Sequence, residues 1–169
     1  MSENIIKLRK IKKSDLPYFV KWWEDEELIK TTSGINEKDE NILRGYFFCM
    51  LESKKDSHYV IQYNSKVVGN ISITHKNRST FEVHIVVGEK EYWGKGIGTV
   101  SIKKILKIAF LSLDYTTAYI EVRPENQRAI RLYAFCGFRK IGLKKYPKNK
   151  YQPVVLKMKL DKKDFIKIN

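Results

Sequence analysis

Residues Tyr92 to Thr99 read YWGKGIGT, with glycines at three alternate positions and an apolar-periodic run directly behind them. Each glycine costs conformational entropy on folding, so the spacing implies a backbone that turns sharply or one that something approaches closely. The first amides of a helix lack internal partners, and the helix dipole adds partial positive charge there. A glycine-rich turn at such a place suits an anion, a phosphate above all; a purely structural turn is the alternative. Just upstream, TFEVHIVVG puts Glu82, His84 and Val86 on one face of a strand and Phe81, Val83, Ile85 and Val87 on the other. A carboxylate in so apolar a strand needs water or a partner. Glu82 is the candidate base and His84 the alternative base; the bland reading makes either an ordinary solvent-side residue.

The elements that must position these groups follow from period and punctuation. IIKLRKI (Ile5 to Ile11) alternates as a first strand. Ser14 is the expected N-cap of a helix running through LPYFVKWW, with Pro17 in its first turn. TTSGI (Thr31 to Ile35) reads as a loop. A second helix is expected over EKDENILRGYFFCMLES, with Ile42, Leu43, Tyr46, Phe47 and Met50 as its inner stripe. HYVIQY, KVVGNISITH and TFEVHIVVG then form an antiparallel meander divided by Asn-Ser and KNRS. After the glycines a helix is expected from about Gly98 to Ser112, with Ile102, Ile105, Leu106 and Ala109 inward. TAYIEV (Thr117 to Val122) is a strand, and NQRAIRLYAFCG a helix capped by Asn126 and ended by Gly137. FRKIGLKK and PVVLKMKL close the chain as strands. The expected order is β-α-α-β-β-β-α-β-α-β-β, a mixed α/β sheet in one domain over 1–169, with 161–169 as a loose basic tail.

Nucleotide-binding motifs can be compared with the glycine loop directly. No GxxxxGK string followed by Ser or Thr occurs. Gly94-Lys95-Gly96-Ile97-Gly98 falls one residue short of the dinucleotide fingerprint GxGxxG, although Glu121 stands at a suitable distance beyond it. The glycines follow an antiparallel meander and no second βαβ half comes after, which argues against that fold. YWGKGIGT instead resembles motif A of the Gcn5-related N-acetyltransferases, (Gln/Arg)-x-x-Gly-x-(Gly/Ala). Gly96 and Gly98 match it, while Trp93 stands where glutamine or arginine is usual. A Tyr-Trp-Gly-Lys-Gly string is common in the branch that acetylates ribosomal-protein N-termini. ENQRAIRLYAFCGF is similar to motif B of the same family, Asn-x-x-Ala-Ile-x-Leu-Tyr-x-x-x-Gly-Phe, matching at Asn126, Ala129, Ile130, Leu132, Tyr133, Gly137 and Phe138.

The resemblance implies that acetyl-coenzyme A is the cosubstrate, with its pyrophosphate on the backbone N–H groups of Trp93, Gly94, Lys95, Gly96, Ile97, Gly98 and Thr99. Lys95, Arg128 and Arg131 would add charge toward the phosphates, and Asn126 and Ala129 belong to the same cofactor-binding set. Ile85, Val86 and Val87 would pair their backbone with the amides of the pantetheine arm, in the manner of an added strand. The strands at 81–88 and 117–122 are expected to splay apart around the thioester. Direct attack by an amine requires loss of an amine proton, a donor for the developing oxyanion and a proton for the departing thiolate. A backbone N–H near Val86 or Val87 answers the second demand. Tyr133 is the candidate acid for the third, at a position where the family often has tyrosine, with an aromatic core residue as the alternative. In the related branch a glutamate commonly sits at the place of Glu82 and would work through a water. Cys136 is read as core packing.

Composition bounds the rest. Lys and Arg number 33 against 19 Asp and Glu, net +14, and residues 139–169 alone carry 11 basic and 2 acidic side chains. Such a flank suits an anionic partner, a ribosome among them, or simply a solvated lysine-rich surface. It argues against a polycationic acceptor such as an aminoglycoside or polyamine, which would be repelled at long range. Acceptor specificity is expected from KWWEDEEL, where one of Trp22 and Trp23 lines a groove and Glu24 to Glu27 attract an amine or solvate a helix end. TTSG and KKYPKNKYQP are the other expected contributors. Neither a signal peptide nor a run of 18 apolar residues is present, and Cys49 and Cys136 show no metal-ligand spacing. A cytoplasmic setting, no metal and no membrane partner are the expectations. A homodimer stays open, as do a non-catalytic acetyl-CoA sensor and a basic nucleic-acid-binding protein.

Overall fold

The computed structural model describes residues 5–32 and 37–168. Seven strands form one sheet in the order β1-β2-β3-β4-β5-β7-β6, comprising β1 (Ile6–Lys10), β2 (Ser57–Tyr63), β3 (Lys66–His75), β4 (Thr80–Val87), β5 (Thr117–Val122), β6 (Arg139–Lys145) and β7 (Val154–Asp161). The expected meander is present. β2 and β3 are joined by Asn64 and Ser65, both at positive φ (47° and 69°), the handedness that a tight hairpin requires. All neighbours run antiparallel except β4 and β5.

Among the described residues six α-helices flank the sheet: α1 (Leu16–Glu24), α2 (Glu26–Thr31), α3 (Glu40–Glu52), α4 (Ile97–Lys107), α5 (Gln127–Phe135) and α6 (Lys162–Ile168). One face of the sheet packs on α4, the π-helical turn that continues it (Ile108–Ser112), α5 and α6 through Ile102, Ile105, Leu106, Ala109, Ile130 and Phe165. The other packs on α1 to α3 through Leu16, Phe19, Trp22, Leu28 and Phe47. In this second layer Phe19 lies edge-on to Phe47, ring centroids 5.1 Å apart. Truncating either buried ring to alanine would cost about 3–5 kcal/mol. The entry to α1 is fixed by Asp15, which accepts from Arg9 twice at 2.9 Å and from the Lys12 amide at 2.7 Å.

Four expectations about the elements change, the first being the cap of α1, a position held by Asp15 with Ser14 in the turn before it. A short helix, α2, precedes the second long one, because Asp25 caps it by accepting from the amides of Glu27 and Leu28. The TTSGI loop is described only at Thr31 and Thr32; its remainder lies outside the described residues. The inner stripe of α3 is Leu43 and Phe47 with Phe48, Met50 and Leu51, whereas Ile42 and Tyr46 are 43% and 42% exposed. The helix therefore sits rotated from the expected face. The end of the chain is a helix rather than a loose tail: Phe165 is buried, its ring 5.3 Å from that of Phe110. That anchoring explains why a basic stretch nevertheless orders.

Candidate active site

The parallel pairing of β4 with β5 lasts three residues, Thr80 to Glu82 against Thr117 to Tyr119, and then stops. β4 runs on to Val87 and β5 to Val122 without pairing to each other. The expected splay is thus present, and it leaves backbone from Val83 onward facing a gap. Into this gap opens a cavity of about 350 Å³. Its walls are Val83 to Val87, the glycine loop, Ile120 to Arg123, and the stretch from Asn126 to Tyr133, with Leu28, Thr31, Thr32 and Gln152 also lining it.

The glycines divide between the two readings of their spacing. Gly94 and Gly96 adopt left-handed φ of 77° and 75°, and a Cβ at either would meet nothing within 4 Å. They turn the chain and leave open space over the backbone. Gly98 permits close approach instead, since a Cβ there would stand 2.8 Å from Leu132 Cδ1 on α5. The amides from Gly94 to Thr99 make no hydrogen bond within the described chain, and Val100 is the first to bond back, to Gly96 O at 3.1 Å. Free amides at the head of an eleven-residue helix, beside open space, form an anion cradle. The Trp93 amide is not part of it, contrary to the expected range: it donates to Lys90 O at 3.0 Å.

Trp93 has another place. Its indole N–H donates to Val87 O at 2.7 Å, and the Arg128 guanidinium stacks on its ring at 4.0 Å from the centroid. The residue that departs from the motif therefore ties the end of β4 to the loop and holds a cation at the cavity edge. Lys95 does not line the cavity; its ammonium lies 4.9 Å from the Tyr92 ring centroid. Arg131 is exposed and also off the cavity. Asn126 caps α5 by accepting from the Ala129 amide at 3.1 Å, and donates to Thr31 O at 3.0 Å.

Tyr133 lines the cavity, 7% exposed, and its hydroxyl has no hydrogen-bond partner among the described residues. Burial pushes the phenol well above its ordinary value, and nearby Cys136 adds to this, so at neutral pH it is a proton donor. Cys136 is buried, off the cavity, and pushed up to about 11 by burial. It stays a thiol packed against the Thr99 carbonyl, 3.9 Å away.

Glu82 and His84 trade positions relative to expectation. Glu82 is buried and does not line the cavity; one carboxylate oxygen meets Lys76 Nζ at 3.0 Å and the other His84 Nε2 at 3.3 Å. His84 faces the cavity, its side chain 45% exposed. The enclosure of the ring by surrounding protein lowers its pKa; Glu82 raises it, Lys76 lowers it, and Glu121 and Asp56 raise it, with a net downward direction. The imidazole is then neutral near pH 7 with a carboxylate behind it.

Glu121, Arg123 and Gln152 also line the cavity; Gln152 lies in KKYPKNKYQP, expected to contribute to acceptor specificity, whereas Glu121 and Arg123 had no role in this site from the sequence. Glu121 could have been found by the same alternation that picked out Glu82, since it shares a face of β5 with Thr117 and Tyr119. It accepts from Tyr146 at 2.7 Å and pairs with Lys144 at 3.1 Å. Burial alone would raise its pKa, but these partners outweigh it and hold it low. Arg123 donates to Thr32 O at 2.6 Å, Ile29 O at 3.4 Å and Tyr151 O at 2.9 Å. It thereby clips the end of α2 to the β6–β7 loop across the cavity. Neither Trp22 nor Trp23 lines the cavity. Trp22 is packed on Gly88, where a Cβ would fall 2.3 Å from the indole, and donates to Glu89 at 2.9 Å. Within the acidic run, Asp25 and Glu27 are both paired with Lys90, at 2.9 and 2.7 Å.

A sheet that parts beside a glycine-led helix, with a cavity in the parting, is the GNAT fold. The acetyltransferase (GNAT) domain model matches residues 6–139, and the chain belongs to that family. The N-alpha-acetyltransferase RimI of Mycobacterium tuberculosis is 31% identical over 93 residues, 53% of this chain and 56% of that one. An uncharacterized protein of Methanocaldococcus jannaschii is 30% identical over 91 residues, 53% of this chain and 19% of its own length. The match thus spans about half of one curated relative and about a fifth of the other. Among solved structures, spermidine N-acetyltransferase from Vibrio cholerae, in complex with CoA and spermine, has a TM-score of 0.83 over 95% of this chain and 98% of that chain. Its identity is 20%, so the likeness is one of fold. Among the described residues no helix is long and apolar enough to cross a membrane, and no group of His, Cys, Asp or Glu could hold a metal ion.

Proposed function

We propose that this chain transfers an acetyl group from acetyl-CoA to a primary amine by direct attack, and that the acceptor is the N-terminal amine of a protein. The observation that carries the reading is one cavity whose lining includes the glycine loop, Tyr133, His84, Glu121 and Gln152. Its residues fit acetyl-CoA: open amides from Gly94 to Thr99 for the pyrophosphate, Arg128 beside them, and the β5-facing side of Val83 to Val87, which has no partner strand, for a chain of amides. When bound, that cosubstrate supplies an acyl carbon activated as a thioester.

The chain's own groups then divide the proton work. His84, neutral and open to the cavity, takes the proton that the amine must lose. Glu82 holds the ring orientation and balances the charge the ring gains, so the carboxylate acts through the imidazole. Tyr133, a buried phenol without a partner, gives its proton to the departing sulfur, and an amide near Val86 or Val87 faces the developing oxyanion. Cys136 has no part, since direct transfer needs no enzyme thiol.

A protein acceptor agrees with the charge distribution. Within the Glu24 to Glu27 run, Asp25 and Glu27 are already paired with Lys90, which reduces the negative charge left there for a polyamine. The β6 edge is exposed and basic, with Lys140 and Lys145 free of ion pairs among the described residues, and suits a site near ribosomal RNA. Thiol release from acetyl-CoA over a panel of peptide N-termini, polyamines, aminoglycosides and amino acids tests the assignment. Turnover only with polyamines or aminoglycosides would overturn the acceptor, and absence of calorimetric heat with acetyl-CoA would overturn the whole reading.

A further inference from the structure

Gln152 lines the cavity near Arg123, which bonds to the neighbouring Tyr151 carbonyl, and is 4% exposed. Its side-chain amide has no hydrogen-bond partner among the described residues, although nearly all buried amides in proteins have one. Nor is it sealed in, as His58 Nδ1 and Ser101 Oγ are; it opens on the cavity. The backbone that carries it is held firmly. Asn149 Oδ1 accepts from the amides of Tyr151 and Gln152, both at 3.0 Å, and the Tyr146 amide donates to Pro153 O at 2.7 Å. Proline at 153 further restricts residue 152 to extended backbone.

Other polar groups of the lining are already engaged. Glu121 is satisfied by Tyr146 and Lys144. Arg123 is bound to three carbonyls. The hydroxyls of Thr31 and Thr32 donate to the Leu28 carbonyl, at 3.1 and 2.8 Å. Among these groups the Gln152 side chain is the one with no partner among the described residues, a primary amide with donors and an acceptor in one plane. That set complements a peptide group, which presents one N–H and one C=O. A polyamine presents ammonium donors only and would leave the Gln152 N–H groups unmatched.

We propose that Gln152 recognises the first peptide group of the acceptor, next to the amine, and so selects a peptide N-terminus over a simple alkylamine. This rests on the protein-N-terminus reading. The test compares a short N-terminally free peptide amide with an alkylamine of similar length, in wild type and Gln152→Leu, by thiol release. KM for the peptide rises about tenfold, as for loss of a buried hydrogen bond. KM for acetyl-CoA and for the alkylamine stay within about twofold, and kcat changes little. An equal loss for both amines, or none for either, overturns the role of Gln152 while leaving the acetyltransferase assignment intact. A wild type that acetylates spermidine but no peptide is a separate outcome, which overturns the acceptor reading and Gln152's role together. If Gln152→Leu does not fold, Gln152→Met, unbranched and similar in length, gives the same comparison.

Discussion

Substituting Gly96 by alanine separates the backbone role of the glycine loop from its ligand role. The residue holds φ at 75°, so an L-alanine there pays the left-handed penalty of about 1–2 kcal/mol. No steric term adds to it, since the new Cβ meets nothing within 4 Å. For a chain of 169 residues that penalty lowers the melting temperature by roughly 3–6 °C without ligand. Binding should suffer more, because the methyl group enters the open space over the free amides, where a pyrophosphate would lie. Loss of one charge-assisted hydrogen bond is worth about 1.5–3 kcal/mol, or roughly 10- to 150-fold in affinity. Calorimetry with acetyl-CoA reads that loss directly. A phosphate-free donor, such as the acetyl thioester of N-acetylcysteamine, should be used by Gly96→Ala as well as by wild type. If Gly96→Ala binds acetyl-CoA within about twofold of wild type, or loses both donors equally, the loop is not a phosphate cradle.

Three further outcomes follow from the same geometry. Tyr133→Phe should lower kcat by about 100-fold or more with little change in acetyl-CoA affinity, read by thiol release; unchanged kcat would remove the phenol from the proton path. Because His84 titrates below its ordinary value of 6.5, kcat/KM should rise with pH through an inflection under that value. The inflection should vanish in His84→Gln and move lower in Glu82→Gln, since the carboxylate raises the ring's pKa; an unmoved profile in both refutes the pair. Burial alone would raise the Asp15 pKa, but hydrogen bonds from Arg9 and Lys12 outweigh it and hold it low. Its folded pKa lies below the unfolded one, so its stabilisation is present above the ordinary carboxylate value and lost as pH falls through the folded pKa. Asp15→Asn should therefore cost about 2 kcal/mol in urea unfolding near pH 7 and progressively less below pH ~4.

Legibility in the sequence followed the range of the interactions concerned. The turn at Asn64-Ser65, the α4 stripe and the Asn126 cap are set by neighbours a few residues away, and each is where its residues imply. The glycine loop was equally plain, because φ above zero is a local demand. The face of α3 was not. Ile42 and Tyr46 share the helical spacing with Leu43 and Phe47, and only the place of Phe19 decides which pair turns inward. Glu82 was preferred over His84 because a carboxylate in an apolar strand needs a partner; its partners are Lys76 and His84, and it is His84 that lines the cavity. Gln152 carried no signal, since nothing in KKYPKNKYQP distinguishes a buried amide from its solvated neighbours. Helix α6 was hidden by its lysines; a single phenylalanine, Phe165, fixes it against Phe110.

The brief parallel contact between β4 and β5 bears on how the molecule responds to heat and to its substrate. With three pairs of residues joining the strands, the halves on either side meet mainly through helix packing and the Arg123 clip. A donor seated in the parting would supply the rungs the sheet lacks, and so act as a temporary eighth strand. Those amides of β4 beyond Val83 that face away from β3 should then exchange with deuterium fastest in the empty protein and slow sharply on saturation, as those of β2 and β3, already paired on both sides, stay constant.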